Sequence, residues 1–101
     1  MAERKIIWTQ KANEERKEIL SYWIERNRSS AYSVKLNALI KETLRLTAFY
    51  PESGRKTTIN NVRVKIVRDY LLFYEITPTE LIVLVIWDKR RDEKSLRIKS
   101  L

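Results

Sequence analysis

Val62-Arg63-Val64-Lys65-Ile66-Val67-Arg68-Asp69-Tyr70-Leu71-Leu72-Phe73-Tyr74-Glu75-Ile76 is the stretch on which the fold turns. Aliphatic and basic side chains alternate from Val62 to Ile66, the period of a strand with two unlike faces. After the two-residue connection Arg68-Asp69, a run of aromatic and aliphatic β-formers follows, which reads as the return arm of a hairpin. Beyond Thr77-Pro78-Thr79-Glu80 comes Leu81-Ile82-Val83-Leu84-Val85-Ile86-Trp87, without one polar residue. Such a run points to a central strand buried on both faces. Three strands with two short connections make an antiparallel meander.

Upstream, the period changes. Lys5-Ile6-Ile7-Trp8 reads as a short first strand, and Thr9 is placed to cap a helix. Ala12, Ile19, Leu20, Trp23 and Ile24 then mark one helical face, with Glu14, Glu15, Lys17 and Glu18 on its wet side. Arg26-Asn27-Arg28-Ser29-Ser30 breaks the pattern. A second helix runs to about Phe49, with Leu36, Leu39, Ile40, Thr43, Leu44 and Thr47 on its buried stripe, and Tyr50-Pro51-Glu52-Ser53-Gly54 ends it. Two helices joined by a short polar turn predict an antiparallel hairpin. The order β-α-α-β-β-β therefore defines an α+β fold, an antiparallel-rich sheet packed on one face by a two-helix hairpin. The chain has room for one domain, residues 1–101, with neither an internal repeat nor a linker. Residues 92–101 read equally as a short helix or a tail.

Charge is the strongest functional signal. Twenty-one Lys and Arg against 13 Asp and Glu give a net charge of +8, which predicts attraction to nucleic acid or to acidic protein surfaces. The excess is concentrated. Five basic residues against one acid lie in 55–70, and six against three in 88–101. If Val62, Val64 and Ile66 meet the helices, Arg63 and Lys65 stand together on the uncovered sheet face. Asp88-Lys89-Arg90-Arg91 would rim that face, which reads as an anion-binding surface or, more plainly, as solvated charge. Trp8, Trp23, Phe49, Phe73 and Trp87 read as core. Tyr70 and Tyr74 share one face of their strand, placed either to stack a base or to pack.

Absences narrow the chemistry. With no His or Cys, the usual zinc sites, serine triads and thiolate nucleophiles lack their residues, and one Gly cannot build a phosphate loop. No metal or cofactor is expected. The apolar runs are too short to span a membrane and no signal-peptide core leads the chain, so a cytoplasmic protein without membrane contact is expected.

The chain resembles the RelE/ParE superfamily of type II toxins along nearly its whole length. The resemblance is carried by Trp8-Thr9, by the hairpin with Ala12 and Ile19 to Tyr22, and by Pro51-Glu52-Ser53-Gly54-Arg55. Val62-Arg63-Val64, residues 69–76, and the closing Ile86-Trp87-Asp88-Lys89-Arg90-Arg91 complete it. It implies a toxin neutralised by a cognate antitoxin protein, whose apolar side chains would lie along the hairpin groove or sheet edge and whose acids would meet the basic face. It also implies two candidate targets. A RelE-like member cleaves mRNA on the ribosome. By position, Arg63 and Lys65 match its paired basic residues and Arg90 its late arginine, with Lys65 as base and both arginines stabilising the phosphorane. Leu71 and Leu96 stand where RelE carries an arginine and a tyrosine. A ParE-like member poisons DNA gyrase and requires no catalytic set. The exit at residues 51–55 and Leu72-Phe73-Tyr74 resemble ParE, and Arg55, Lys56, Arg68, Tyr70, Lys89 and Arg91 become candidates for target or nucleic-acid contact. A stand-alone nucleic-acid-binding domain is the remaining alternative.

On the nuclease reading, Lys65→Ala or Arg90→Ala should abolish toxicity in a growth assay while antitoxin binding survives. Full toxicity in both would remove the catalytic site from these residues.

Overall fold

The structure, a computed structural model, describes residues 3–91 and Leu96. Strand β1 (Lys5–Trp8) leads into helices α1 (Gln10–Asn27) and α2 (Ala31–Phe49). A single 3-10 turn (Pro51–Ser53) follows, then strands β2 (Arg55–Lys56), β3 (Val62–Val67), β4 (Tyr70–Ile76) and β5 (Glu80–Asp88). The sheet order is β1-β5-β4-β3-β2, with β1 parallel to β5 and every other pair antiparallel. The expected α+β architecture is therefore present. Two residues of β2 are an addition to it, too short to leave a period in the sequence.

Local chemistry sets the helix ends. Thr9 Oγ1 accepts from the Ala12 amide at 3.1 Å, satisfying one of the amides that a helix start leaves orphaned, while its hydroxyl donates to Val83 O at 2.9 Å. At the other end Arg28 adopts a left-handed backbone, φ 50°, and its amide bonds Ile24 O. The hairpin is held closed by Ser33, whose buried hydroxyl donates to Leu20 O at 2.6 Å.

Two apolar clusters lie on opposite faces of the sheet. Leu36, Ile40 and Leu44 of α2 pack with Val67, Tyr70, Leu72, Tyr74, Leu81, Val83 and Ile86. On the helix-free face Val62, Val64, Leu71, Phe73, Val85 and Trp87 form a second cluster, against which Leu96 packs. Of residues 92–101, whose conformation the sequence leaves open, only Leu96 lies within the described residues. β4 is the middle strand and β5 its interior neighbour, so the apolar run of β5 is interior without being central. A bulge opposite Phe73 and Tyr74 inserts Leu84 between Val83 and Val85. It switches the parity of β5, so that Leu81 and Val83 join the first cluster while Val85 and Trp87 join the second.

Some helix positions depart from expectation. Leu39 and Ile24 are well exposed, at 38% and 42%. The buried stripe of α2 is Ser33, Leu36, Ile40, Leu44, Thr47 and Ala48, and α1 buries fully only Ala12. Phe73 and Trp87 are buried, whereas Trp8, Trp23 and Phe49 are half-buried at the margin.

The exit from α2 is pinned from the sheet. The Tyr74 hydroxyl, fully buried, donates to Pro51 O at 2.6 Å and accepts from the Gly54 amide at 3.1 Å. A Cβ on Gly54 would collide with that hydroxyl. Tyr74→Phe leaves a buried carbonyl and amide unpaired and should cost about 1–3 kcal/mol of stability. Gly54→Ala should also destabilise, but the double variant should lose less than the sum, because removing the hydroxyl removes most of the clash. Chemical denaturation of the four proteins measures the coupling.

Candidate functional site: two ends of the sheet

The face assignment of the basic pair is the main correction. Arg63 lies opposite Tyr74, Lys65 opposite Leu72 and Val67 opposite Tyr70, so all three share the face that carries the helices. Val62 and Val64 belong to the helix-free face. Period two separates the faces of a strand but does not say which one receives the helices. Here both faces are apolar at β4, and the larger set, with two tyrosines, takes the helix side.

Arg63 is engaged by the loop after α2. Its Nη1 donates to Gly54 O at 2.8 Å and to Glu52 O at 3.1 Å, satisfying carbonyls beside the Tyr74 hydroxyl. Lys65 is two residues further along the same row and half-buried. Arg90 is at the far end. Its Nε and Nη2 grip the Asp88 carboxylate at 3.0 and 2.7 Å, and this fork holds Asp88 below the usual carboxylate range while raising Arg90. In the β4 register Arg63 is level with Tyr74 and Asp88 with Tyr70, four residues or roughly 13 Å apart. Arg63 and Arg90 therefore sit toward opposite ends of β4, with Lys65 between them.

The remaining candidates divide between the same two ends. Arg55 and Lys56 in β2 lie beside Val64 and Arg63. Arg68 occupies the β3–β4 turn at φ 56°, exposed. Lys89 follows β5, its amide bonded to Asp69 O at 2.8 Å, and the Arg91 guanidinium lies over the Trp87 ring at 4.3 Å. Tyr70 is buried, and its hydroxyl accepts from Trp23 Nε1 at 2.8 Å. Burial pushes this phenol up. Its ring is thus a joint between α1 and β4 and offers no surface for a base.

Around Tyr70 opens a cleft of about 420 Å³ between α1 and the end of β5, lined among others by Glu15, Tyr22, Tyr70, Asp88 and Arg90. Glu15 was expected on the wet side of α1. Instead its carboxylate accepts the Ile86 amide at 3.1 Å, because β1 stops level with Val83 and leaves the β5 edge beyond it without a strand. Partial burial raises the Glu15 pKa. Glu15, Tyr22 and the cations of the hairpin turn, Arg26 and Arg28, escaped the sequence reading as site residues. The signal was the length of α1. Eighteen residues span roughly 27 Å, enough to carry that turn past the start of β4.

Among the described residues, no helix is long and apolar enough to cross a membrane, and no group of three or more acidic side chains gathers as a metal site.

The architecture is similar to a solved chain of the chromosomal ParDE toxin–antitoxin system from P. aeruginosa. The TM-score is 0.73 at 17% identity, over 84% of this chain and 95% of that one. No curated protein matches the sequence. The family model for the ParE toxin of the type II toxin–antitoxin system parDE matches residues 6–93, and the chain belongs to that family.

The raised Glu15 pKa has a signed consequence. Its folded form holds a proton more tightly than the unfolded chain, so its contribution is most favourable below the ordinary value of 4.5 and is lost as pH rises through the folded pKa. Glu15→Gln keeps an acceptor for Ile86 without the charge. Its melting temperature should rise relative to the parent as pH climbs from 4 toward 7, and a constant offset across that range would refute the account.

Proposed function

We propose that this chain is a toxin acting on DNA gyrase as a binding protein without catalysis of its own, silenced by a cognate antitoxin. The observation that carries the choice of target is the engagement of Arg63. A guanidinium holding two backbone carbonyls of the loop after α2 is a structural clamp, not a group waiting for a phosphorane. Arg90 is gripped by Asp88 at the other end of β4, and Leu71, in the RelE arginine position, belongs to the apolar cluster of the helix-free face. A ribosome-dependent nuclease would need these groups gathered at one phosphate, whereas a gyrase ligand needs only shape and charge, and the engagement of both arginines supports the second. The antitoxin reading is supported by membership of the parDE family and by the +8 charge, which an acidic partner segment would complement. Lys65, Arg55, Lys56 and Arg91 are then contacts for a protein partner.

The test is a supercoiling assay with purified toxin and gyrase. Inhibition or accumulation of cleaved DNA, reversed by the antitoxin from the adjacent gene, is expected, with mRNA on translating ribosomes left intact. Cuts in A-site codons with gyrase unaffected would overturn this reading in favour of a nuclease.

A further inference from the structure

The Trp23–Tyr70 hydrogen bond brings three turns that are remote in sequence to one end of the molecule. The first is the hairpin turn, with Arg28 and, in the last turn of α1, Arg26. The second is the β3–β4 turn with Arg68, which shares an apolar depression with Lys35 of α2. The third follows β5, where the Lys89 amide is tied to Asp69 of the second turn. Arg26, Arg28, Lys35, Arg68 and Lys89 are all exposed. The acids nearby are Glu25, Glu42, Asp69 and Asp88, of which Glu42 is paired with Arg45 and Asp88 with Arg90. Two of these cations, Arg28 and Arg68, sit at left-handed φ values of 50° and 56°, where a long basic side chain has no conformational advantage over Asn or Gly.

We propose that this end of the molecule is a nucleic-acid-binding surface that grips the phosphate backbone of duplex DNA without reading its sequence. Clustered cations from separate turns give a donor-rich surface suited to phosphates lying across it. Binding by base stacking on single strands needs open aromatic faces. Here Trp23 is packed edge to face between Tyr22 at 5.2 Å and Tyr32 at 4.9 Å with Arg26 over its ring, and of the three only Tyr22 is well exposed, too little for a stacking platform. Among the described residues no helix or strand projects from this end to enter a groove, which favours backbone contact over base readout. The choice of duplex DNA over structured RNA rests on gyrase as the target, an enzyme whose own substrate is duplex. The surface would let the toxin hold the enzyme and the DNA together.

Fluorescence anisotropy with a short labelled duplex of random sequence, in the absence of gyrase, tests this directly. Binding should weaken steeply with salt. The triple variant Arg28→Asn, Lys35→Gln, Arg68→Asn keeps residues that tolerate the left-handed backbone. It should weaken binding by roughly tenfold or more and flatten the log–log salt slope by about 2.7. A matched variant, Lys5→Gln, Lys17→Gln, Lys41→Gln, loses the same charge elsewhere on the surface and should bind nearly as the parent does. Equal losses in the two variants would show that net charge alone attracts DNA, and would overturn the site. So would preference for a labelled hairpin RNA over the duplex, or no binding of the duplex at low salt. Gyrase inhibition is scored separately. Toxin that binds duplex through this end yet spares gyrase refutes the gyrase target, and toxin that poisons gyrase without binding DNA refutes the surface.

Discussion

A single buried phenol, Tyr74, fixes how the helical layer meets the sheet. Its hydroxyl closes on Pro51 O and on the Gly54 amide, so the chain leaving α2 can turn into β2 at only one place. Because Tyr74 is in the middle strand and Arg63 lies beside it, the same loop is held a second time by a guanidinium. Both groups would be costly to bury unpaired, and each satisfies backbone atoms that the turn leaves without partners. Gly54 is required here by the closeness of the phenol and not by its backbone angle, since its φ of −76° is open to any residue. The consequence reaches the other end of β4. Once the register is set at Tyr74, Tyr70 falls beneath Trp23, and the hairpin turn is delivered to the turns of the sheet.

Element order apart from β2, the limits of β1, β3 and β4, and the two-helix hairpin are legible in the sequence because they depend on local period and caps. Thr9 and the Arg68-Asp69 turn each do what their chemistry implies, and the apolar run of β5 is an interior strand, though β4 and not β5 is the middle one. What could not be read was which face of β3 the helices cover, because both faces of the sheet bury apolar groups. The bulge at Leu84 was equally hidden, since a run with no polar residue carries no parity to be broken. The site was less legible than the fold. Period two puts Arg63 and Lys65 on one face, but the partners of Arg63 are carbonyls, and carbonyls have no sequence signature. Tyr70, read as open to either packing or stacking, turned out to be buried, with Trp23 as its partner.

Charge in this molecule is therefore of two kinds. Arg63 and Arg90 are tied to neighbours within the chain and hold local geometry. Those on the hairpin and β3–β4 turns face outward. A count of basic residues mixes the two, which is why the +8 total signals an anionic partner without locating it. Family membership accounts for the architecture and the toxin role, while the division between engaged and outward cations bears on how that role is carried out.

The apolar run of β5 has a meaning before the chain is folded. Seven consecutive residues, 81–87, carry no charge, no proline and no glycine, a composition that self-associates readily as stacked strands. Glu80 stands immediately before it and Asp88-Lys89-Arg90-Arg91 immediately after. Charges flanking such a segment act as gatekeepers against aggregation. The charges on either side of β5 thus oppose pairing between unfolded copies of the chain until β1 and β4 close over the strand.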